Sequence, residues 1–168
     1  MPVLDLEALV RDYARPIHGY LWRLLRDSSA AEDCLQETFL RAAASAARGD
    51  RVTHPRAWLY AVATNAARSY GRRLARGDRR EQAMDLDLVD VGAGVPETAE
   101  RRERLRRVDA AVRRLPPKMR EALVLRKYQE LSYIEVGAAL KSSPAAARAN
   151  VYQALRRLRE WLAEEVEG

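Results

Sequence analysis

Ser132–Leu158 reads SYIEVGAALKSSPAAARANVYQALRRL, and this stretch decides the fold. Ser132 and Glu135 form a capping box, in which each side chain satisfies a free amide near the other. They open a short helix whose inward positions are expected at Ile134, Gly137 and Leu140. Lys141-Ser142 makes a turn. Ser143 then caps a second helix, with Pro144 in its first turn, where a missing N–H costs nothing. Ala147, Val151, Ala154, Leu158 and Leu162 recur at helical spacing and form its buried stripe. A short capped helix, a tight turn and a longer capped helix make a helix-turn-helix pattern. The outward positions of the second helix are Ser143, Ala145, Ala146, Arg148, Ala149, Asn150 and Gln153. Small residues let the backbone approach a DNA groove, and Arg, Asn and Gln can bond base edges at two points. The same pattern also suits an ordinary helical hairpin with a polar outer face.

The preceding residues are helical too. Leu105, Val108, Val112 and Leu115 form a stripe ending at Pro116-Pro117, and a further helix is expected over 118–128. At the amino end, Leu6, Val10, Tyr13, Ile17, Tyr20 and Leu24 make one stripe, which Pro16 should kink or restart. Ser29 and Glu32 read as a capping box opening a helix that buries Leu35, Phe39 and Ala42. After a polar loop over 48–54, Pro55 starts a third helix burying Leu59, Val62, Ala66 and Tyr70. No segment alternates like a strand. The fold class is therefore all-α.

Charge divides the chain. Residues 1–77 hold 12 Arg and 8 acids, and 105–168 hold 13 Arg or Lys and 8 acids, whereas 78–104 hold 5 Arg and 8 acids. Gly92, Gly94 and Pro96 lie in that middle stretch, together with Asp85, Asp87 and Asp90. Its composition predicts a flexible acidic linker between two small basic helical domains, at 1–77 and 105–168. The overall net charge of +6 permits a polyanionic partner.

Several function classes fall away. One cysteine, Cys34, excludes an internal disulfide framework, and with His18 and His54 it cannot build a zinc site. Cys34 reads as a small half-buried residue. No nucleophile elbow, metalloprotease or phosphate-loop motif occurs, so neither an enzyme nor a cofactor is expected. Asp33 and Glu37 lie one turn apart on a helix with no histidine near in sequence, which suits a solvated or partner-facing surface. The amino terminus lacks a basic start followed by an apolar core, and no apolar run approaches a membrane span. A soluble, cytoplasmic chain without membrane insertion is expected. On the third helix, Trp58, Ala61, Asn65, Arg68 and Arg72 share a face, with Arg73 and Arg76 following. Aromatic and basic groups together suit an unpaired strand; the alternative is a core Trp58 with solvated arginines.

Three segments carry a resemblance. AEDCLQETFLR at 31–41 resembles the AEDLVQETFLR segment of bacterial sigma factors, and PRAWLYAVATN at 55–65 is similar to the segment that follows it. LPPKMREAL at 115–123, followed by LSYIEV at 131–136, resembles their promoter-binding carboxy-terminal domain. Order, spacing and length are those of the small extracytoplasmic-function group.

The resemblance implies a sigma factor that binds core RNA polymerase and directs it to promoter DNA, for a stress or environmental regulon, with an anti-sigma factor as a further partner. By analogy, Asp33, Gln36, Glu37 and Leu40 dock on the polymerase. Trp58, Asn65, Arg68, Arg72 and Arg73 serve the −10 element, and the helix from Pro144 serves the −35 element. Many relatives open that last helix with Gly-Thr-Val-Lys-Ser-Arg; here Ala145–Asn150 keep only Arg148 as a cation, and Gln153 replaces a common Arg. Arg156, with Arg157 and Arg159, compensates by touching phosphates. Two other readings share these motifs: a sigma-like decoy that binds an anti-sigma factor, and a simple helix-turn-helix repressor.

Overall fold

The computed structural model describes residues 3–77 and 98–168. Among them are seven helices: α1 (Leu6–Leu25), α2 (Ser28–Ala47), α3 (Pro55–Ala75), α4 (Ala99–Arg114), α5 (Pro117–Lys127), α6 (Tyr133–Leu140) and α7 (Pro144–Glu167). No strand occurs among the described residues, and the one β-type pairing joins Val3 to Arg51. The expected linker acids Asp85, Asp87 and Asp90 lie outside them. The last residues of the expected linker are helical. Thr98 caps α4 by accepting from the Arg101 amide, and Glu100 pairs with Arg104 at 3.0 Å. Charges that would repel in a random chain attract when a helix places them four residues apart.

Helices α1, α2 and α3 pack on one another around Ile17, Tyr20, Leu21, Leu59 and Tyr60, all fully buried. The Tyr20 and Tyr60 rings meet edge to face with centroids 5.4 Å apart. Thr64 Oγ1 donates to the Tyr60 carbonyl at 2.7 Å, which leaves it free to accept from the Tyr20 hydroxyl, also at 2.7 Å. Every buried hydroxyl of this group thus has a partner, as burial requires. Helices α5, α6 and α7 pack around Leu123, Val124, Leu125, Leu131, Val136 and Val151, with α4 laid against α7.

Several expectations about phase and termini are corrected. Pro16 does not restart the helix, since α1 runs unbroken through it. It sits exposed, and Leu9 on one side and Ile17, Tyr20 and Leu21 on the other anchor the flanking turns in the core. The α2 cap is Asp27, which accepts from the Ala30 amide at 3.0 Å; Ser29 lies inside the helix. Asp27 is the extended residue, so the helix begins two residues earlier than the Ser29 reading. The buried face of α2 is accordingly Ala31, Cys34, Thr38 and Ala42, with Leu35 and Phe39 flanking it half-buried. Val10 and Leu105 are exposed, and Val62 is half-buried. Ile134 is 68% exposed, and Val136, Gly137 and Ala139 point inward instead. Helix α6 has only two turns and is apolar on most sides, so its phase is decided by α3, α5 and α7 rather than by periodicity.

The helix-turn-helix forms as the local signals require. Both hydrogen bonds of the Ser132–Glu135 box are present, at 2.8 and 3.2 Å. Lys141 ends α6 in the left-handed conformation, at φ 54°. The turn crosses directly over Gly137: a Cβ there would stand 2.7 Å from the Ser142 carbonyl oxygen. Ser143 caps α7 by accepting from the Ala146 amide at 3.0 Å.

Candidate nucleic-acid interface

The cap at Ser143 sets the start of α7, and the buried stripe Ala147, Val151, Ala154 and Leu158 fixes its rotation. That rotation exposes Ser143, Ala145, Ala146, Arg148, Ala149, Gln153 and Arg156, and leaves Asn150 half-buried. Small side chains around the helix start make a surface that a phosphate backbone can approach closely. Arg148 lies over the Tyr133 ring at 5.0 Å, and Arg126 lies over the same ring at 4.5 Å. The ring quadrupole attracts both guanidinium groups and restrains the orientation of Arg148. Arg156 pairs with Glu160 at 3.3 Å, one turn on.

Tyr152 was not anticipated. It is 65% exposed and, with Tyr133, Pro144, Ala145, Arg148 and Ala149, lines a concavity of about 510 Å³ along the first half of α7. Its position four residues after Arg148, off the buried stripe, is the signal that marks it.

Helix α3 carries the second set. Trp58 packs half-buried against the core, and Asn65 is half-buried. Arg72 and Arg73 are exposed; with Ser69, Arg76 and Glu37 they line a smaller concavity between α3 and α2. Arg72 donates to Ser69 Oγ at 3.0 Å. Arg68 is engaged differently. Its Nε and Nη2 donate to the two carboxylate oxygens of Glu121 on α5, at 3.0 and 2.5 Å. That carboxylate holds the Arg68 guanidinium still more firmly in its charged form. The structure thus separates Arg68 from its expected neighbours, by a partner 53 residues away.

Helix α2 presents the third set. Asp33, Gln36 and Leu40 are exposed on one face, and Leu40 is 69% exposed despite being apolar. Glu37 is half-buried and accepts from Arg41 at 2.9 Å. The opposite face is sealed in the core. There Cys34 is buried rather than half-buried, and burial, followed by the nearby Glu37, pushes its thiol up to about 11. Among the described residues no cluster of His, Cys, Asp and Glu could hold a metal, and no helix is long and apolar enough to cross a membrane.

Two family models match the chain: Sigma-70 region 2 over residues 9–77, and Sigma-70, region 4 over residues 105–158. The chain is 35% identical to the RNA polymerase sigma factor CarQ of Myxococcus xanthus over 158 residues, covering 94% of this chain and 89% of that protein. It is 34% identical to the ECF RNA polymerase sigma factor SigE of Mycolicibacterium smegmatis over 167 residues, spanning 98% of this chain and 63% of that longer protein. In fold it is similar to the sigma factor RpoE of Bartonella quintana, solved with the anti-sigma factor NepR, at a TM-score of 0.70 and 21% identity over 95% of this chain and 97% of that one. The region 2 match spans α2 and α3, and the region 4 match spans the helix-turn-helix, so all three sets fall within matched segments. The chain belongs to the sigma-70 family of RNA polymerase sigma factors, in its extracytoplasmic-function group.

Proposed function

We propose that this chain binds core RNA polymerase in the cytoplasm, directs it to particular promoters, and is held in check by an anti-sigma factor. In this reading, residues 1–77 serve polymerase docking and the −10 element, and residues 105–168 serve the −35 element. The α2 surface of Asp33, Gln36, Glu37 and Leu40 docks on the polymerase. Leu40 supplies an apolar anchor that a solvated helix has no use for, and the acids around it set orientation and on-rate. Trp58, Asn65, Arg68, Arg72 and Arg73 contact the opened −10 strand, where basic groups track phosphates and an aromatic offers a stacking surface. Ser143, Ala145, Ala146, Arg148, Ala149, Asn150, Gln153 and Arg156 face the −35 duplex, with Tyr152 added to them. No step here is a chemical reaction; the chain acts by binding.

The observation that carries the reading is the capped, stripe-fixed start of α7, which turns small residues and Arg148 outward in a chain matched by both sigma regions. The exposed cations Arg72, Arg73 and Arg148 favour a DNA-binding factor over a decoy, which needs none of them. The test is an affinity measurement with purified core polymerase. Asp33→Lys with Glu37→Lys is expected to weaken core binding by tenfold or more, an estimate of about 1.4 kcal/mol, while the helix signal stays unchanged. Undiminished binding by the double variant would remove α2 from the docking surface.

A further inference from the structure

We propose that Tyr152 is a specificity-determining residue of the −35 surface: its ring packs on a thymine C5-methyl group in the major groove, beside the base that Arg148 takes. The proposal rests on the −35 reading of α7 and names the base feature that is read there.

Helix phase puts the ring on the outer face. Residues 145, 148, 149 and 152 follow one another at steps of three and four, which places them on one side of α7. The buried stripe Ala147, Val151, Ala154 and Leu158 turns that side to solvent. Tyr152 is 65% exposed there. A lone exposed ring calls for no explanation, but this one lines the concavity of about 510 Å³ with Arg148 and, across it on α6, Tyr133. Among the described residues Arg148 is the one charged side chain in that lining. The alanines at 145 and 149 leave the ring and the guanidinium standing above the helix surface. From Arg148 to Tyr152 the helix rises about 6 Å at 1.5 Å per residue. Two neighbouring base pairs, stacked at roughly 3.4 Å each, match that span.

Arg148 does not cover the ring of Tyr152. Its guanidinium lies 5.0 Å from the centre of the Tyr133 ring, toward α6. Arg126 lies over the same ring at 4.5 Å and is itself anchored, donating to the Leu131 carbonyl at 3.0 Å. A ring held in this way draws Arg148 to one side of the concavity and leaves the other side apolar.

Groove chemistry then selects the partner. A ring face offers no hydrogen bond to a base edge. Set against the amino group of cytosine or adenine, or the acceptors of guanine, it would strip water from a polar atom and return nothing. The thymine methyl is the one apolar group that a base presents in the major groove, and contact with it leaves no polar atom unpaired. Arg148 has the fork geometry for a guanine. Together the two residues suit an element in which a thymine methyl adjoins a guanine. A 5-methylcytosine carries its methyl at the same place, so Tyr152 should accept it as it accepts thymine. The same side of α7 continues four residues on to Arg156, a cation that suits the phosphates flanking a groove better than the apolar face of a protein partner.

The test uses holoenzyme made from the full chain and purified core polymerase, which first selects duplexes from a library randomised over the −35 region. Each thymine of the selected element is then replaced, one at a time, by deoxyuridine, which differs only in lacking the methyl. Affinity should fall about fourfold at one position or more, the effect of losing one buried group the size of a CH2. With Tyr152→Ala, thymine and deoxyuridine at that position should bind alike, whereas Tyr152→Phe, which keeps the ring, should keep the preference. Replacing that thymine by cytosine should weaken binding, and 5-methylcytosine should restore part of the loss. The side chain is exposed, and unchanged thermal melting of both variants checks that they fold. A selected element without thymine, or one whose deoxyuridine forms bind like the parent, would overturn the methyl contact, leave the −35 reading standing and free this concavity for a protein partner. A deoxyuridine effect of equal size in wild type and Tyr152→Ala would assign it to duplex shape and overturn the role of Tyr152. Failure to select any −35 sequence would overturn the −35 reading itself, and the proposal with it.

Discussion

Single residues show how far local chemistry carries and where it stops. Gly137 is required because the turn runs over it, leaving a Cβ 2.7 Å from backbone. Gly137→Ala is expected to destabilise the chain by about 1–3 kcal/mol, the usual range for forcing an atom into packed space, seen as a lower urea midpoint at unchanged slope. Cys34 offers a pH readout. Burial favours its neutral thiol, raising it from the ordinary 9.0 to about 11. The protonated form is therefore the stabilising one: its contribution is complete below pH 9.0 and is lost as pH rises through about 11. Iodoacetamide at pH 8 should leave Cys34 unmodified in the folded chain and alkylate it in urea; rapid modification without urea would contradict the buried placement. Arg148 is expected to matter through its orientation as well as its charge. Tyr133→Leu should reduce discrimination among −35 duplexes less than Arg148→Ala, for which a lost two-point contact costs about 1–3 kcal/mol. Binding-site selection with both variants measures it, and an unchanged selected motif with Arg148→Ala would exclude that residue from base recognition.

At the scale of elements, the sequence is most legible where a signal is local. The Ser132–Glu135 box, the Ser143 cap, Pro55 and Pro144 in first turns, and the α7 stripe all sit where the residues indicate. These depend on neighbours within a few positions. Legibility fails where tertiary contacts choose between near-equal options. Helix α6 is too short and too uniformly apolar for periodicity to set its phase, so Ile134 faces out and Val136 in. On α2, Asp27 and Ser29 were both competent caps, and the chain uses Asp27. The α4 charges read as repulsion in one dimension and pair in three. Because the start of α7 combines a cap with the surface proposed to face DNA, Ser143→Ala should lower stability by about 1 kcal/mol and weaken −35 duplex binding together. Denaturant melting and duplex titration check the two effects. A full stability loss with unaltered duplex affinity would separate the cap from the DNA surface.

The whole molecule adds what no local signal contains. Arg68 on α3 and Glu121 on α5 are 53 residues apart, and nothing in either neighbourhood announces the other. Sequence patterning marks Arg68 as a cation on an aromatic and basic face; only the packed chain shows that it is spoken for. The same holds for Arg56 with Gln129 and Arg26 with Asp109. A family resemblance conveys the order of parts and their roles, whereas the joint between the parts is a property of this chain's own side chains. The central claim, that the chain confers promoter selectivity on polymerase, is tested most directly by reconstituted transcription. Purified bacterial core polymerase is incubated with a genomic promoter library, with and without the full chain, and the transcripts are sequenced. The account predicts a small set of new start sites that share upstream −10 and −35 motifs, appear only with the chain, and vanish with the Asp33→Lys, Glu37→Lys variant. Transcripts identical with and without the chain, from a core shown to accept another sigma factor, would contradict it.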